Sequence, residues 1–267
     1  MGLLSYLKST ILSKWVMAIT GVVLVGFIFG HALGNMQLFI GKEAYNTYAA
    51  FLQGLGEGLW IMRIVLALCL VLHVITSIRL KLLNNSAKPK AYQYKAFLRA
   101  KITSRTMIWT GLMIFAFLTY HILHFTAGMV NPDQYNQHEV VVKEKSSIAI
   151  DVKGQPVPPQ FKTVEAGGKT FVNQEDAKTA LERHDVYKMV VLGFKDPIQS
   201  AIYIIGVVLL GFHLSHAIQS MFQTMGFNHP KYSPMIEKAS VALAVVIVLC
   251  MISLPVSILT GIVGGNV

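Results

Sequence analysis

Charge is what this sequence has least of. Only 13% of its 267 residues are Asp, Glu, Lys or Arg, against about 25% in an ordinary soluble domain. So few ions cannot cover a globular surface, which excludes an ordinary soluble enzyme. Cysteine is nearly absent as well. Cys69 and Cys250 both lie in apolar runs, which excludes a disulfide framework, a cysteine-ligated metal and haem attachment through paired cysteines. Residues 16–40, 64–78 and 106–130 contain no Asp, Glu, Lys or Arg at all, and uncharged apolar runs of this kind read as membrane spans.

What is present is apolar side chain, 54% of the residues. It falls into five runs, 14–40, 60–83, 105–130, 197–224 and 236–262, predicting an all-α membrane bundle of five transmembrane helices. Segment 1–130 then holds helices one to three, 131–197 a connection on one side of the membrane, and 198–267 helices four and five. The first run is too long for a signal-peptide core and lacks a small-residue cleavage site, so it is read as a structural span.

An odd number of spans puts the termini on opposite sides. Arg79, Lys81, Lys88, Lys90, Lys95, Arg99, Lys101 and Arg105 crowd the second connection without an acid, and the positive-inside rule makes that side cytoplasmic. The N-terminus is then cytoplasmic and the C-terminus outside, as expected of a multi-pass protein of the inner (cytoplasmic) membrane. Inside lie 12 basic and 1 acidic residues; outside lie 11 basic and 12 acidic. The net +10 therefore reports topology, reinforced by a cytoplasmic partner or anionic membrane lipid, and nucleic acid is not expected as a partner. Trp15 and Trp109 suit anchoring at the inner interface and Trp60 at the outer one. The 131–197 connection carries 9 basic and 10 acidic residues and reads as a small outside lid. Its alternating stretches 140–145 and 147–152 suit strands, 154–159 a turn, and 174–191, capped by Asn173 and ended at Gly193, a helix. No internal repeat is evident.

Histidine is the informative residue. His31, His73, His121 and His213 fall one to each of the first four spans, with His124 and His216 three residues after the last two. An imidazole in hydrocarbon needs a hydrogen-bond partner or a metal, and intramembrane ionisable groups are functional candidates. At about 1.5 Å of rise per residue, His31 and His121 lie roughly 24–26 Å above the inner boundary, whereas His73 and His213 lie roughly 15 Å above it. Two opposed pairs at two levels, with no carboxylate or thiolate ligand available, is the arrangement required by two bis-histidine haems. Depth favours His121 over His124 as partner of His31; His216 suits a hydrogen bond near the inner surface as well as ligation. Gly26, Gly30 and Gly34 form a small-residue stripe that permits close approach of a helix or of a flat macrocycle. Arg63 suits either contact with a haem propionate or quinone carbonyl, or snorkelling to water near Glu57.

Across all five spans the sequence resembles the cytochrome b subunits of succinate dehydrogenases and fumarate reductases, in the five-helix, two-haem, single-anchor b558-type class. The resemblance rests on Gly30-His31 followed by Glu43-Ala44-Tyr45-Asn46, on Leu72-His73, on Thr110-Gly111 ahead of His121, and on Phe212-His213-Leu214-Ser215. It implies two haem b groups, one held by His31 with His121 (outer) and one by His73 with His213 (inner). It implies a flavoprotein and an iron-sulfur subunit on the basic cytoplasmic face, quinone, menaquinone in particular, as substrate near the outer surface, and no dicarboxylate active site or catalytic residue in this chain. His124 and His216 match no ligand position of that class. Gly211 stands where some fumarate reductases have a glutamate, and the lid is longer than the family's usual connection. Cytochrome b subunits of hydrogenases, formate dehydrogenases or nitrate reductases are the competing reading, though they concentrate ligands on fewer helices. A transporter or anchor whose histidines merely bridge helices is the third.

Overall fold

A computed structural model describes residues 9–87, 102–142, 164–166, 169–171 and 180–267. Five of its helices are long and apolar enough to cross a membrane: Thr10–Phe39, Glu57–Ser86, Ile102–Thr126, Pro197–Thr224 and Ser233–Leu259. In chain order the elements are α1 (Thr10–Asn35), running into a 3-10 turn at Met36–Phe39, α2 (Lys42–Gly54), α3 (Glu57–Ser86) and α4 (Ile102–His121), which continues as a π-helix over Ile122–Thr126. Then come α5 (Pro132–Tyr135), β1 (His138–Val142), β2 (Val164–Ala166), β3 (Lys169–Phe171), β4 (Ala180–His184), α6 (Val186–Lys195), α7 (Pro197–Thr224) and α8 (Ser233–Leu259).

Local chemistry sets the ends. Ser9 accepts from the Leu12 amide to cap α1, and Asp196 accepts from the Ile198 amide at 2.8 Å with Pro197 opening α7; a side-chain acceptor ahead of proline at the first helical position is a strong start signal. Four of the five spans begin three or four residues before the expected apolar runs, since polar first turns can reach beyond hydrocarbon, while α7 begins at Pro197 as expected. The third span stops at Thr126, short of residue 130, because Gly128 adopts φ +65° and the Met129 amide turns back to the Leu123 carbonyl at 2.8 Å.

α7 is the hub. It packs closely on α8, α4 and α1; α1 in turn packs on α3 and α8. The outward faces are apolar and exposed, among them Trp15, Trp60 and Trp109 at 42%, 62% and 66%, as expected of surfaces that meet lipid. One core lies between α7 and α8 around Leu214, Ile218 and Ile247. The other lies at the lid end, where Leu38, Val191, Phe194, Tyr203 and Leu254 meet.

The lid helix differs from the sequence expectation. Residues 180–184 are not helical but form β4, antiparallel to β1 in the register His138↔His184, and α6 starts at Val186 and runs through Gly193 to Lys195. The reason is the position of Arg183, held extended so that it reaches Glu43 and Glu139, and of Asp185, which caps the Lys188 amide at 3.0 Å. Gly193 is small because Phe125 lies against it, a Cβ there falling 2.8 Å from the ring. The expected strands beyond residue 142, the 154–159 turn, residues 173–179 and the basic stretch 88–101 lie outside the described residues.

The lid is fastened by ions. Lys42 pairs with Asp185 at 2.7 Å and Glu139 at 2.8 Å, and Arg183 pairs with Glu139 at 2.7 Å and Glu43 at 2.6 Å. Asp185 is only 2% exposed. Its burial pushes the carboxyl up, but hydrogen bonds from Lys42, Asn46 and the Lys188 amide outweigh this and hold it below the ordinary value; Glu139 is lowered in the same way by Lys42, Arg183 and Asn46. Carboxyls with depressed folded values stabilise the fold fully above their unfolded values, about 4, and lose that contribution as pH falls through the folded ones. Proteolytic cleavage within the described segments 131–142 and 180–197 is expected to be slow at pH 7 and to accelerate below about pH 4. Asp185→Ala is expected to give the same acceleration at neutral pH, since it leaves Lys42 and Asn46 without this acceptor.

Candidate functional site

His31 lies in the last full turns of α1 and His121 ends α4, so both occupy the lid end; His73 and His213 lie in the middle of α3 and α7. The bundle brings His31 and His121 face to edge, ring centroids 5.8 Å apart at 83°. Two imidazole nitrogens each about 2 Å from one metal ion, with ring centroids roughly 1 Å further back, stand about 6 Å apart. The observed separation is close to that span, and it is equally the separation of two rings in direct edge contact. Phe27 stacks on His31 at 5.5 Å, while Phe117 and Tyr203 flank His121 at 6.2 and 5.7 Å. Asn35 donates to the His31 carbonyl at 2.8 Å and sets its amide 3.3 Å from His31 Nε2. The Tyr45 hydroxyl donates to Asn35 Oδ1 at 2.7 Å. His121 Nδ1 is buried without a partner.

The second pair is seated differently. His73 Nδ1 lies 3.3 Å from Thr20 Oγ1 of α1, and His213 Nδ1 lies 3.2 Å from Thr110 Oγ1 of α4. The next residue on each helix is glycine, and a Cβ there would stand 3.7 Å from His73 Cε1 at Gly21 and 3.4 Å from His213 Cε1 at Gly111. Thr110-Gly111 is part of the motif quoted above, but the sequence does not reveal that its threonine meets His213, and the sequence reading missed that Thr20-Gly21 repeats it against His73. The signal was available: Thr20-Gly21 precedes His31 and Thr110-Gly111 precedes His121 by the same eleven residues from threonine to histidine, a short repeat hidden among unrelated apolar residues.

Helix packing separates the two kinds of pair. α1 packs closely on α3, and α4 on α7, but neither α1 with α4 nor α3 with α7 is among the closely packed pairs. Those are the pairs that carry opposed histidines. Among the described residues no three His, Cys, Asp or Glu side chains gather to hold a metal ion. A metal between the histidines therefore needs its remaining ligands from a group that brings them, as a porphyrin does, and the donor set of two neutral imidazoles fits that group.

His124 belongs to a separate arrangement. The π-helix adds a residue to the turn after His121, with the Ala127 amide bonded to the Ile122 carbonyl at 2.8 Å, and His124 turns into the core at 3% exposure. Its Nδ1 lies 3.0 Å from the Tyr203 hydroxyl and its ring stacks on Phe125 at 4.0 Å. No sequence signal marks this turn, since π-bulges follow from tertiary fit. His216 is partly buried one turn beyond His213. Arg63 is exposed, its guanidinium 5.1 Å above the Trp60 ring, and stands with that ring rather than with a histidine pair. Of the glycine stripe, Gly34 is pressed by Tyr48, a Cβ there falling 2.7 Å from its hydroxyl, whereas Gly26 and Gly30 face open space. Gly211 accommodates Val248 of α8.

No protein-family model, no curated protein and no solved structure matches this chain.

Tyr203→Phe is expected to leave both nitrogens of buried His124 without a partner and to cost about 1–3 kcal/mol, measured as a lower thermal unfolding midpoint of the full chain in detergent.

Proposed function

We propose that this chain is the dihaem cytochrome b anchor subunit of a succinate:quinone oxidoreductase or quinol:fumarate reductase. The observation that carries the reading is the pair of histidine levels: one imidazole from each of four helices, opposed across the helix pairs that do not pack closely. In this reading His31 and His121 hold the haem at the lid end, and His73 and His213 hold the other. With haem b bound at both levels, the chain supplies a one-electron path between an iron-sulfur subunit and a quinone, menaquinone by resemblance.

The remaining residues have distinct tasks. Neutral imidazoles ligate without bringing net charge into lipid, where an unpaired charge is costly. Phe27, Phe117 and Tyr203 exclude water from the lid-end pair. The end opposite the lid carries Lys14, Arg79, Lys81, Arg105, Lys231 and Lys238, with Arg79 donating to Ser13 Oγ at 2.6 Å to join α3 to α1. We assign this basic face to the cytoplasm and to docking of the iron-sulfur and flavoprotein subunits. Arg63, exposed beside Trp60 and away from the histidine pairs, suits a propionate or quinone contact or snorkelling to water near Glu57. Succinate and fumarate are handled by the partner, since no dicarboxylate site belongs to this chain.

The test is a reduced-minus-oxidised spectrum of membranes containing the whole complex. Two b-type components are expected, both reducible by succinate, and His73→Ala or His213→Ala is expected to remove one of them while His31→Ala or His121→Ala removes the other. Absence of any haem absorbance from the purified chain would leave the histidines as helix bridges. A response to quinol alone, with succinate inert, would assign the chain to a different respiratory partner.

A further inference from the structure

Thr20 and Thr110 stand on α1 and α4, yet each meets the histidine of the neighbouring helix, not the one on its own. Thr20 Oγ1 donates to the Val16 carbonyl at 2.7 Å and Thr110 Oγ1 to the Thr106 carbonyl at 3.2 Å. A hydroxyl has one hydrogen. The 2.7 Å bond to Val16 takes the hydrogen of Thr20. We assign the hydrogen of Thr110 to the backbone likewise, although its oxygen lies 3.2 Å from the Thr106 and Met107 carbonyls and from His213 Nδ1 alike. Each oxygen then accepts from the imidazole, so the nitrogen facing it, Nδ1 of His73 or His213, carries the ring proton, with the Met17 carbonyl a further acceptor at His73. Nε2 is then the lone-pair nitrogen in both rings. The adjacent Gly21 and Gly111 let the Cε1–Nδ1 edge of each ring approach the helix that carries the threonine.

The lid-end pair has no such acceptor. His121 Nδ1 is buried without a partner, and the group at His31 Nε2 is the Asn35 amide, itself tied to the His31 carbonyl and to Tyr45. The two levels therefore differ in the electronics of their imidazoles, although the residue type is the same.

We propose that Thr20 and Thr110 are positioning residues that lock His73 and His213 as Nδ1–H tautomers and, by accepting that hydrogen bond, set the affinity and reduction potential of this level apart from those of the lid-end level. The proposal rests on the haem assignment above. A hydrogen-bond acceptor on the far nitrogen raises the basicity of a ligating imidazole, which favours the ferric over the ferrous state. Removing the hydroxyls is expected to shift the midpoint of one haem upward and leave the other in place.

The experiment uses Thr20→Val and Thr110→Val, which keep the side-chain shape, beside Thr20→Ser and Thr110→Ser, which keep the hydroxyl. Each is made in the full chain within its membrane complex, and haem content and a spectroscopic redox titration are recorded. The component that disappears on replacing His73 identifies the level under test. Expected is a positive shift of that component alone in the valine variants, or a loss of about 10–100-fold in haem affinity at that level alone, with recovery in the serine variants. Titrations in which neither component moves, in which both move together, or in which serine behaves as valine overturn the proposal while leaving the haem assignment standing. A wild-type chain without b-type absorbance overturns both, and is seen before any variant is measured.

Discussion

A neutral imidazole in hydrocarbon has one N–H to give away and one lone pair to place, and each left unmet costs free energy on the order of 1–3 kcal/mol. The bundle is arranged around that requirement. At the middle level the N–H requirement is met by threonines that have already given their own hydrogens to the backbone, so helical geometry supplies an acceptor without importing charge. At the lid end the rings are enclosed by Phe27, Phe117, Phe125 and Tyr203, and the requirement is met less completely. The lone pairs at the middle level are left for the haem proposed above.

Tyr45 and Asn46 tie the lid to this arrangement. Tyr45 reaches Asn35, which touches His31, while the Asn46 amide donates to Glu139 at 2.7 Å and Asp185 at 2.9 Å, and its oxygen accepts from the Tyr187 amide at 2.8 Å. Successive residues of one helical turn thus face opposite tasks, one toward the histidines and one toward the ion cluster. Partly buried ion pairs cost desolvation and are retained more readily for fixing a register than for net stability. Here the register they fix is that of β4 and α6, whose apolar face closes over Leu38 and Tyr203.

The five long helices were legible because lipid imposes one strong rule, continuous apolar length, and the two histidine levels were legible because a helix rises by a constant amount per residue. Features decided by contacts across the chain were not. The start of α6 depends on Arg183 and Asp185 meeting Lys42 and Glu43, some 140 residues away, and on Arg183 meeting Glu139, 44 residues away, so local pattern placed the helix too early. Gly193 read as a stop signal, but its smallness serves Phe125. The extra residue of the π-turn, which buries His124, leaves no trace in periodicity. Thr110-Gly111 is legible as a motif and Thr20-Gly21 is not, and the partners of both lie on other helices.

Those steps divide the bundle into two halves of like construction. In one, α1 carries Thr20, Gly21 and His31 and packs on α3 with His73; in the other, α4 carries Thr110, Gly111 and His121 and packs on α7 with His213. Threonine and histidine are eleven residues apart in both, about 16 Å along the helix. Each level is completed by one imidazole from each half. The spacing of the two levels is therefore written once on α1 and once on α4, and α3 and α7 need only bring a single ring to the threonine waiting for it. A change in length between threonine and histidine on one of these helices would leave one level intact and misalign the other, because that helix carries a residue of each level on one continuous rod.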